Sequence, residues 1–349
     1  MRRPTLNDVA RAAGVSYATA DRVLNNRGSV SGKSRRRVQQ AIADLGYVRD
    51  QQAANLSRRR QFQFRFILPI GNHSFFQALH AAVAEEAPVQ RGDRVDLSIV
   101  GTPALNADAQ AAALDAVGED CDCVAVVATR TERVTAAIRA LDARGIGVIT
   151  LVSDAAPEVR RAYIGIDNRT AGRTAGRLME IAHGARAGLV LPIVGALQAS
   201  DHRDRLDGLH DALAGTMPAI EILPAISVQD RADLMRDMLP RALAARPDIS
   251  GIYSIGAGNR GLLEVLARHR GPRPFTIVHE LTPVTREGLS GGLFDAVIDQ
   301  KPAQEVRRAI EVMKAIATGN AWRDPARDIT PAIYVKENMP LEGGSPRAL

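Results

Sequence analysis

From Phe64 to Gln300 the chain alternates short β-rich runs with helical stretches, and that alternation commits most of its length to parallel sheets covered by helices. The runs are FRFILPIG, VDLSIVG, CVAVVAT, GVITLVS, AYIGID, GLVLPIV, IEILPAI, GIYSIG, FTIVHE and DAVIDQ. Between them FFQALHAAVAEEA, TERVTAAIRALDARG and RTAGRTAGRLMEIAHGA repeat their apolar residues with a helical period. So many strands exceed one ordinary doubly wound sheet, so two lobes are expected, with the crossover just after AYIGIDNRTAGR.

Composition fits a globular protein, with 46% hydrophobic and 24% charged residues. No apolar run approaches the roughly 18 residues of a membrane helix. The start, MRRPTLND, lacks the apolar stretch of a secretory signal. The expectation is a cytoplasmic protein with no membrane partner. Cys121 and Cys123 sit two apart in CDCVAVVA, on one face of a buried strand, and read as small core hydrophobes. Two such ligands make no zinc site, and seven scattered histidines suggest no metal cluster. No H-E-x-x-H or G-x-x-x-x-G-K-[ST] motif is present, and no G-x-S-x-G forms an elbow directly after a β-rich run, so neither an enzyme nor a cofactor is expected.

The formal charge of +6 hides an asymmetry. Residues 1–65 hold 14 Lys/Arg against 4 Asp/Glu, and the rest hold 31 against 35. A basic start on a mildly acidic body points the start toward a polyanion.

That start reads as three short helices. Thr5 can cap a first helix carrying Leu6, Val9, Ala10 and Ala13, with Asp8 in place for a capping box, and Gly14 supplies the turn. Ser16 caps a second helix from Tyr17 to Asn25, and a third runs from Ser31 to about Leu45, with Gly46 as its stop. Two helices around a Gly-Val turn, the second polar outside, describe a helix-turn-helix.

The segment TLNDVARAAGVSYATADRVLNNRGSVSGKSRRRVQQAIADLGYV resembles the headpiece of the LacI family from end to end. The resemblance implies a DNA-reading domain over 1–48 that binds double-stranded operator DNA as part of a homodimeric transcription repressor. Tyr17, Ala18 and Arg22 match positions that enter the major groove; Arg22 can pair with guanine. Thr5, Ser16, Thr19, Asn25 and Ser31 suit phosphate contacts. Asp21 stands where the family usually has Ser, so that contact is lost or Asp21 pairs with a neighbouring Arg. AANLSRRRQ resembles the family's hinge helix, within a linker over 49–62. There Leu56 would wedge into the minor groove, and Ala53 and Ala54 would let two hinges approach.

The body, 63–340, resembles type I periplasmic sugar-binding proteins. The implied fold class is α/β: a small all-α headpiece, then a two-lobed body of parallel sheets flanked by helices. The N-lobe would cover about 63–165 and the C-lobe about 166–285, with the chain crossing back afterwards and a tail at 341–349. The tail LEGGSPRAL lacks apolar heptads, which favours a dimer over a tetramer. The implied effector is a monosaccharide, sugar acid or polyol between the lobes, with a purine a lesser candidate. At predicted strand ends stand Asn72, Phe75, Phe76, Ser153, Asp154, Arg203, Arg205, Asn259, Glu280, Asp299 and Gln300, which offer amides, charges and an aromatic face to a sugar. His73 and His279 read equally as contacts or as loop histidines.

A rival reading rests on Gly256, Gly258 and Gly261, which satisfy G-x-G-x-x-G after a strand with Glu280 ending the next one. It would make the chain an NAD(P)-binding enzyme or a redox-sensing regulator. No hydride-transfer residues converge on the motif, which weighs against it.

Overall fold

The computed structural model describes residues 4–24, 30–45, 61–71, 73–195, 199–215, 219–256, 258–323 and 329–341. Asn25, the hinge segment with Leu56, Asn72 and the tail from 342 lie outside the described residues. The chain divides into two compact units, 1–61 and 62–349.

In the first unit, α1 (Leu6–Ala13) opens with a full capping box: the Thr5 amide and hydroxyl donate to Asp8 Oδ2 at 2.9 and 2.6 Å, and the Asp8 amide donates to Thr5 Oγ1 at 3.3 Å. Gly14 ends α1 at φ 58°, a left-handed conformation, and the Val15 amide returns to the Ala10 carbonyl at 3.0 Å. α2 (Tyr17–Leu24) and α3 (Gly32–Leu45) start the same way, with the Thr19 amide on Ser16 Oγ and the Ser34 amide on Ser31 Oγ. Val9, Ala10, Ala13, Ala20, Val23, Val38 and Ala41 form a small core.

The second unit contains two sheets. The first takes β1 (Phe62–Ile70), β2 (Val95–Pro103), β3 (Cys123–Val126), β4 (Gly147–Leu151) and β5 (Ala162–Ile164) in the order β2-β1-β3-β4-β5, all parallel. The second contains β6 (Gly188–Val194), β7 (Ile220–Ile222), β9 (Gly251–Ser254), β10 (Phe275–His279), β11 (Ala296–Asp299) and β12 (Ala332–Tyr334), with β8 (Ile226–Ser227) also pairing with β6. Its order is β12-β11-β10-β9-β6-β7, and β12 alone among the described strands runs antiparallel. The short IEILPAI run thus splits into β7 and β8. Cys121 and Cys123 are free and buried, and burial raises both thiol pKa values.

Helices cover both faces, as near-continuous apolar strands require. In the first lobe α4 (Ser74–Gly92) lies on the inner face, and α5 (Ala107–Asp115) and α6 (Glu132–Ala143) cover the outer one. In the second, α7 (Asn168–His183) and α8 (Ser200–Leu213) pack on each other, while α9 (Ala232–Ala245), α10 (Asn259–Arg268) and α11 (Pro283–Ser290) build the outer core. The second sheet takes in β11, past residue 285, before the chain returns. α12 (Pro302–Thr318) then packs on α4 and across β3, β4 and β5 of the first sheet, and β12 joins the second. One core joins both inner faces, from Phe64 and Phe66 to Ile277 and Ile298, with Val306, Ile310 and Met313 of α12 inside it.

Candidate functional site

In each sheet the strand order reverses at one place, between β1 and β3 in the first and between β6 and β9 in the second. Loops leaving two such strands diverge to opposite sides of the sheet, and the gap is where open α/β sheets bind ligands. Here the two gaps face one another. Pro69 near the end of β1, His73 and Phe75 beyond it, and Thr129 after β3 meet Arg205 and Gly256 from the second lobe. They enclose an inner pocket of about 70 Å³. It shares His73, Phe75, Asp230, Gly256 and Glu280 with an outer cleft of about 810 Å³.

Four buried polar atoms around the inner pocket have no hydrogen-bond partner among the described residues: His73 Nδ1, Arg205 Nη2, His279 Nδ1 and Gln300 Oε1. Unmade bonds at buried groups cost about 1–3 kcal/mol each, so a convergent set signals a polar ligand. Arg205, 2% exposed, is aimed by two bonds, Nε to Asn168 Oδ1 at 2.8 Å and Nη1 to the Ile255 carbonyl at 3.0 Å. Glu280 is held by Gln300 Nε2 at 2.6 Å, and Arg205 Nη2 stays 3.9 Å from it, beyond a hydrogen bond. Burial, reinforced by Asp299 and opposed by Arg205, pushes the Glu280 carboxyl up to about 8. His279 Nε2 lies 2.7 Å from the Tyr253 hydroxyl, and burial, with Arg205 adding to it, holds this imidazole well below its ordinary pKa. Burial also lowers the pKa of His73.

The aromatic wall comes from the start of α4. Phe75 is 3% exposed and belongs as much to the core as to the pocket, whereas half-buried Phe76 lies 4.6 Å from the His73 ring, centroid to centroid. Of the other residues expected at the site, Ser153, Arg205, Glu280 and Gln300 line the inner pocket and Asn259 lines the outer cleft, where its Oδ1 accepts from Ser254 Oγ at 2.8 Å.

Three do not line either space. Asp154 accepts Arg160 Nε and Nη2 at 2.7 and 2.8 Å and Thr150 Oγ1, so its carboxylate is saturated locally. Arg203 is exposed, because residues two apart on α8 lie on opposite faces and Arg205 takes the inner one. Asp299 accepts the amides of Leu281 and Lys301 and shapes the loops behind the pocket. The structure adds Asp201, His202, Asp230 and Gln110 to the pocket wall. Asp201 is four residues before Arg205, a spacing that could have pointed to it; Asp230 sits in a left-handed turn that no pattern announced. Gln110 bonds Thr129 and the Val127 carbonyl and props the end of β3.

The three glycines of the rival reading have packing reasons of their own. A side chain at Gly256 would run into Asp230 and His202, and at Gly261 into the Ala232 carbonyl of α9; Gly258 lies against Arg231. Among the described residues no group of His, Cys, Asp and Glu could hold a metal ion, and no helix is long and apolar enough to cross a membrane.

On the headpiece, Ser16, Tyr17, Ala18 and Arg22 are exposed, and Ala18 and Arg22 share one stripe of α2. Tyr17 is 51% exposed, a large apolar ring left facing outward. Thr5, Ser16 and Ser31 use their hydroxyls as helix caps, Ser31 on an exposed corner.

Residues 5–50 match the family described as bacterial regulatory proteins, lacI family, and residues 64–321 match the periplasmic binding protein domain. The chain belongs to the lacI family. Its body is a periplasmic binding protein domain. Relatives that align over most of their length agree. The transcriptional regulator CelR of Thermobifida fusca is 28% identical over 72% of this chain and 74% of its own. GntR of Pseudomonas aeruginosa is 26% identical over 96% of both. In fold, the body is similar to a transporter solute-binding protein from Burkholderia graminis in complex with D-arabinose (TM-score 0.73, 22% identity, 80% of this chain and 96% of that one). This family member is therefore a DNA-binding transcriptional regulator, and the dinucleotide reading of its glycine loop has no support.

Proposed function

We propose that this regulator is a cytoplasmic homodimeric repressor. Its hold on a near-palindromic operator is set by a small polyhydroxylated effector, a monosaccharide, sugar acid or polyol, bound between the lobes. The observation that carries the effector reading is the ring of buried, partnerless polar atoms on Arg205, His279, Gln300 and His73 beside the Phe75–Phe76 wall. Hydroxyl-rich ligands bridge such donors and acceptors while an aromatic face covers their C–H surface. Phe76, Ser153 and Glu280 belong to this site and Asn259 to its mouth. Asp154 and Asp299 support it from outside, and Arg203 faces away from it. On the DNA side Tyr17, Ala18 and Arg22 read bases, and Thr5, Ser16, Thr19, Asn25 and Ser31 meet phosphates. Leu56 of the hinge wedges the minor groove. The domain boundaries follow the same reading: DNA reading by 1–48, a hinge over 49–62 and effector binding by 63–340. Effector binding can move operator affinity only by its differential affinity for two lobe arrangements.

The test is selection from a random duplex pool, followed by competition with nonspecific DNA. An enriched palindromic site is expected. Replacing Arg22 with Ala should cost about 1–3 kcal/mol on that site and little on competitor DNA. A pool that emerges without a consensus, or an equal loss on both DNAs, would defeat the base-reading assignment.

A further inference from the structure

We infer that the effector is a sugar acid, its carboxylate received by Arg205 Nη2 and the His279 Nδ1 hydrogen and its hydroxyl-bearing part directed at Asp201, His202 and Asp230. This inference rests on reading the pocket as the effector site and narrows the ligand within it.

The pocket lining falls into two chemical groups. The first is Arg205, His279, Glu280 and Gln300. Arg205 spends Nε and Nη1 on Asn168 and Ile255, so one N–H-bearing corner of its guanidinium is left to the ligand. His279 contributes a second donor. The Tyr253 hydroxyl, fully buried, meets the ring at Nε2, 2.7 Å away. A phenol donates readily to a neutral imidazole, and with Nε2 accepting, the ring proton sits on Nδ1. Nδ1 has no protein partner among the described residues and is 4.0 Å from Glu280 Oε1.

The acid that would ordinarily neutralise Arg205 is Glu280, but the two do not form a hydrogen-bonded pair at 3.9 Å. Glu280 is turned to Gln300 instead. It is faced by Arg205 from α8, by His279 at the end of β10, by Asp299 and Gln300 at the end of β11, and by Glu305 from α12. With its carboxyl raised to about 8, Glu280 is mostly protonated at neutral pH, which leaves the guanidinium without a hydrogen-bonded counter-charge and adds one O–H to the two N–H donors offered to the ligand. A buried cation without a nearby anion is costly, and a carboxylate on a ligand removes that cost while accepting several charge-assisted hydrogen bonds. Gln300 Oε1, itself without a partner among the described residues, is left to accept from a ligand hydroxyl beside that carboxylate.

The second group, Asp201, His202 and Asp230, has the opposite character. Asp201 lies 3.8 Å from His202 Nε2, Gly256 lies against both Asp230 and His202, and His73 is influenced by Asp230, His202 and Asp201. Carboxylates there accept from hydroxyls and repel an anion. A ligand with a carboxylate at one terminus and hydroxyls along the rest satisfies both groups; a neutral sugar leaves Arg205 uncompensated.

The experiment is titration calorimetry of the full chain with matched sets: common aldohexoses and aldopentoses, their aldonic and uronic acids, and their phosphate esters. We expect at least one sugar acid to bind at least about tenfold more tightly than its parent sugar. Its affinity should fall as pH rises through about 8, by up to about tenfold per pH unit, because ionised Glu280 repels the ligand. Glu280→Gln should still bind the acid and lose that slope. A neutral sugar binding as tightly as its acid, or a phosphate ester binding alone, overturns the inference and leaves the effector pocket standing. If no compound in any set binds, the sugar reading itself falls, and the inference with it.

Discussion

Glu305, in the first turn of α12, is fully buried, and neither of its carboxylate oxygens has a hydrogen-bond partner among the described residues. Burial raises its pKa well above the ordinary value, and Glu280 and Asp299 reinforce the shift. The unfolded chain releases this proton above about pH 4.3, while the folded chain keeps it. The folded state therefore binds more protons, and its stability falls as pH rises, by up to about 1.4 kcal/mol per pH unit until the folded pKa is reached. Glu305→Gln removes that penalty. Between about pH 5 and pH 7 the stability gap of the Gln variant over the natural protein should widen, by up to about 3 kcal/mol if the proton is held throughout that window. For a body of this size that corresponds to a melting-temperature gap growing by roughly 5 °C. Calorimetry of both proteins at three pH values across that window reads it directly. Glu280 and Asp299 are common to the pair and largely cancel. A gap that stays constant would mean that Glu305 has already ionised when folded, and the reasoning from its burial would be wrong. Glu305→Met, similar in volume and free of both oxygens, should be more stable throughout, by about 1–3 kcal/mol.

Two further outcomes follow from local geometry. Thr5→Ala removes the hydroxyl half of the α1 capping box, leaving the backbone amide on Asp8, and should cost the headpiece about 1 kcal/mol, seen as faster amide hydrogen exchange along α1; unchanged exchange would show that tertiary packing alone holds this helix. Gly172→Ala would drive a methyl group into the Arg205 backbone carbonyl where α7 meets α8. It should lower stability by about 1–3 kcal/mol and weaken effector binding by displacing Arg205, and an unshifted melting curve would contradict it.

The strands were legible because strands of a parallel sheet are buried on both faces and so read as compact apolar runs, CVAV and GVITL being the plainest. The headpiece was legible for a different reason. Thr5, Ser16, Ser31 and Gly14 are boundary residues whose chemistry is local, so sequence spacing alone locates them. β12 escaped because AIY is three residues long and pairs only through a partner far along the chain, Val297 to Asp299. In the site, strand ends predicted the neighbourhood but not the direction of each side chain. Asp154 and Arg203 stand within two residues of true lining positions, yet Arg160 captures the first and the helical period turns the second outward. Asp230 and Glu305 left no trace, since one owes its place to a left-handed turn and the other to a helix that crosses between lobes.

That crossing helix also sets a timetable for synthesis. The inner face of the first sheet is complete only with Val306, Ile310 and Met313, which are made more than a hundred residues after β5. At the usual rate of about 5–20 residues per second, the first lobe waits on the order of ten to thirty seconds on the ribosome with part of its apolar surface bare. The headpiece, complete within its own unit, faces no such delay, so the nascent chain should present a finished DNA reader on an unfinished sensor. It also follows that neither lobe is a portable module: a gene fragment ending between them would encode a sheet lacking its last helix.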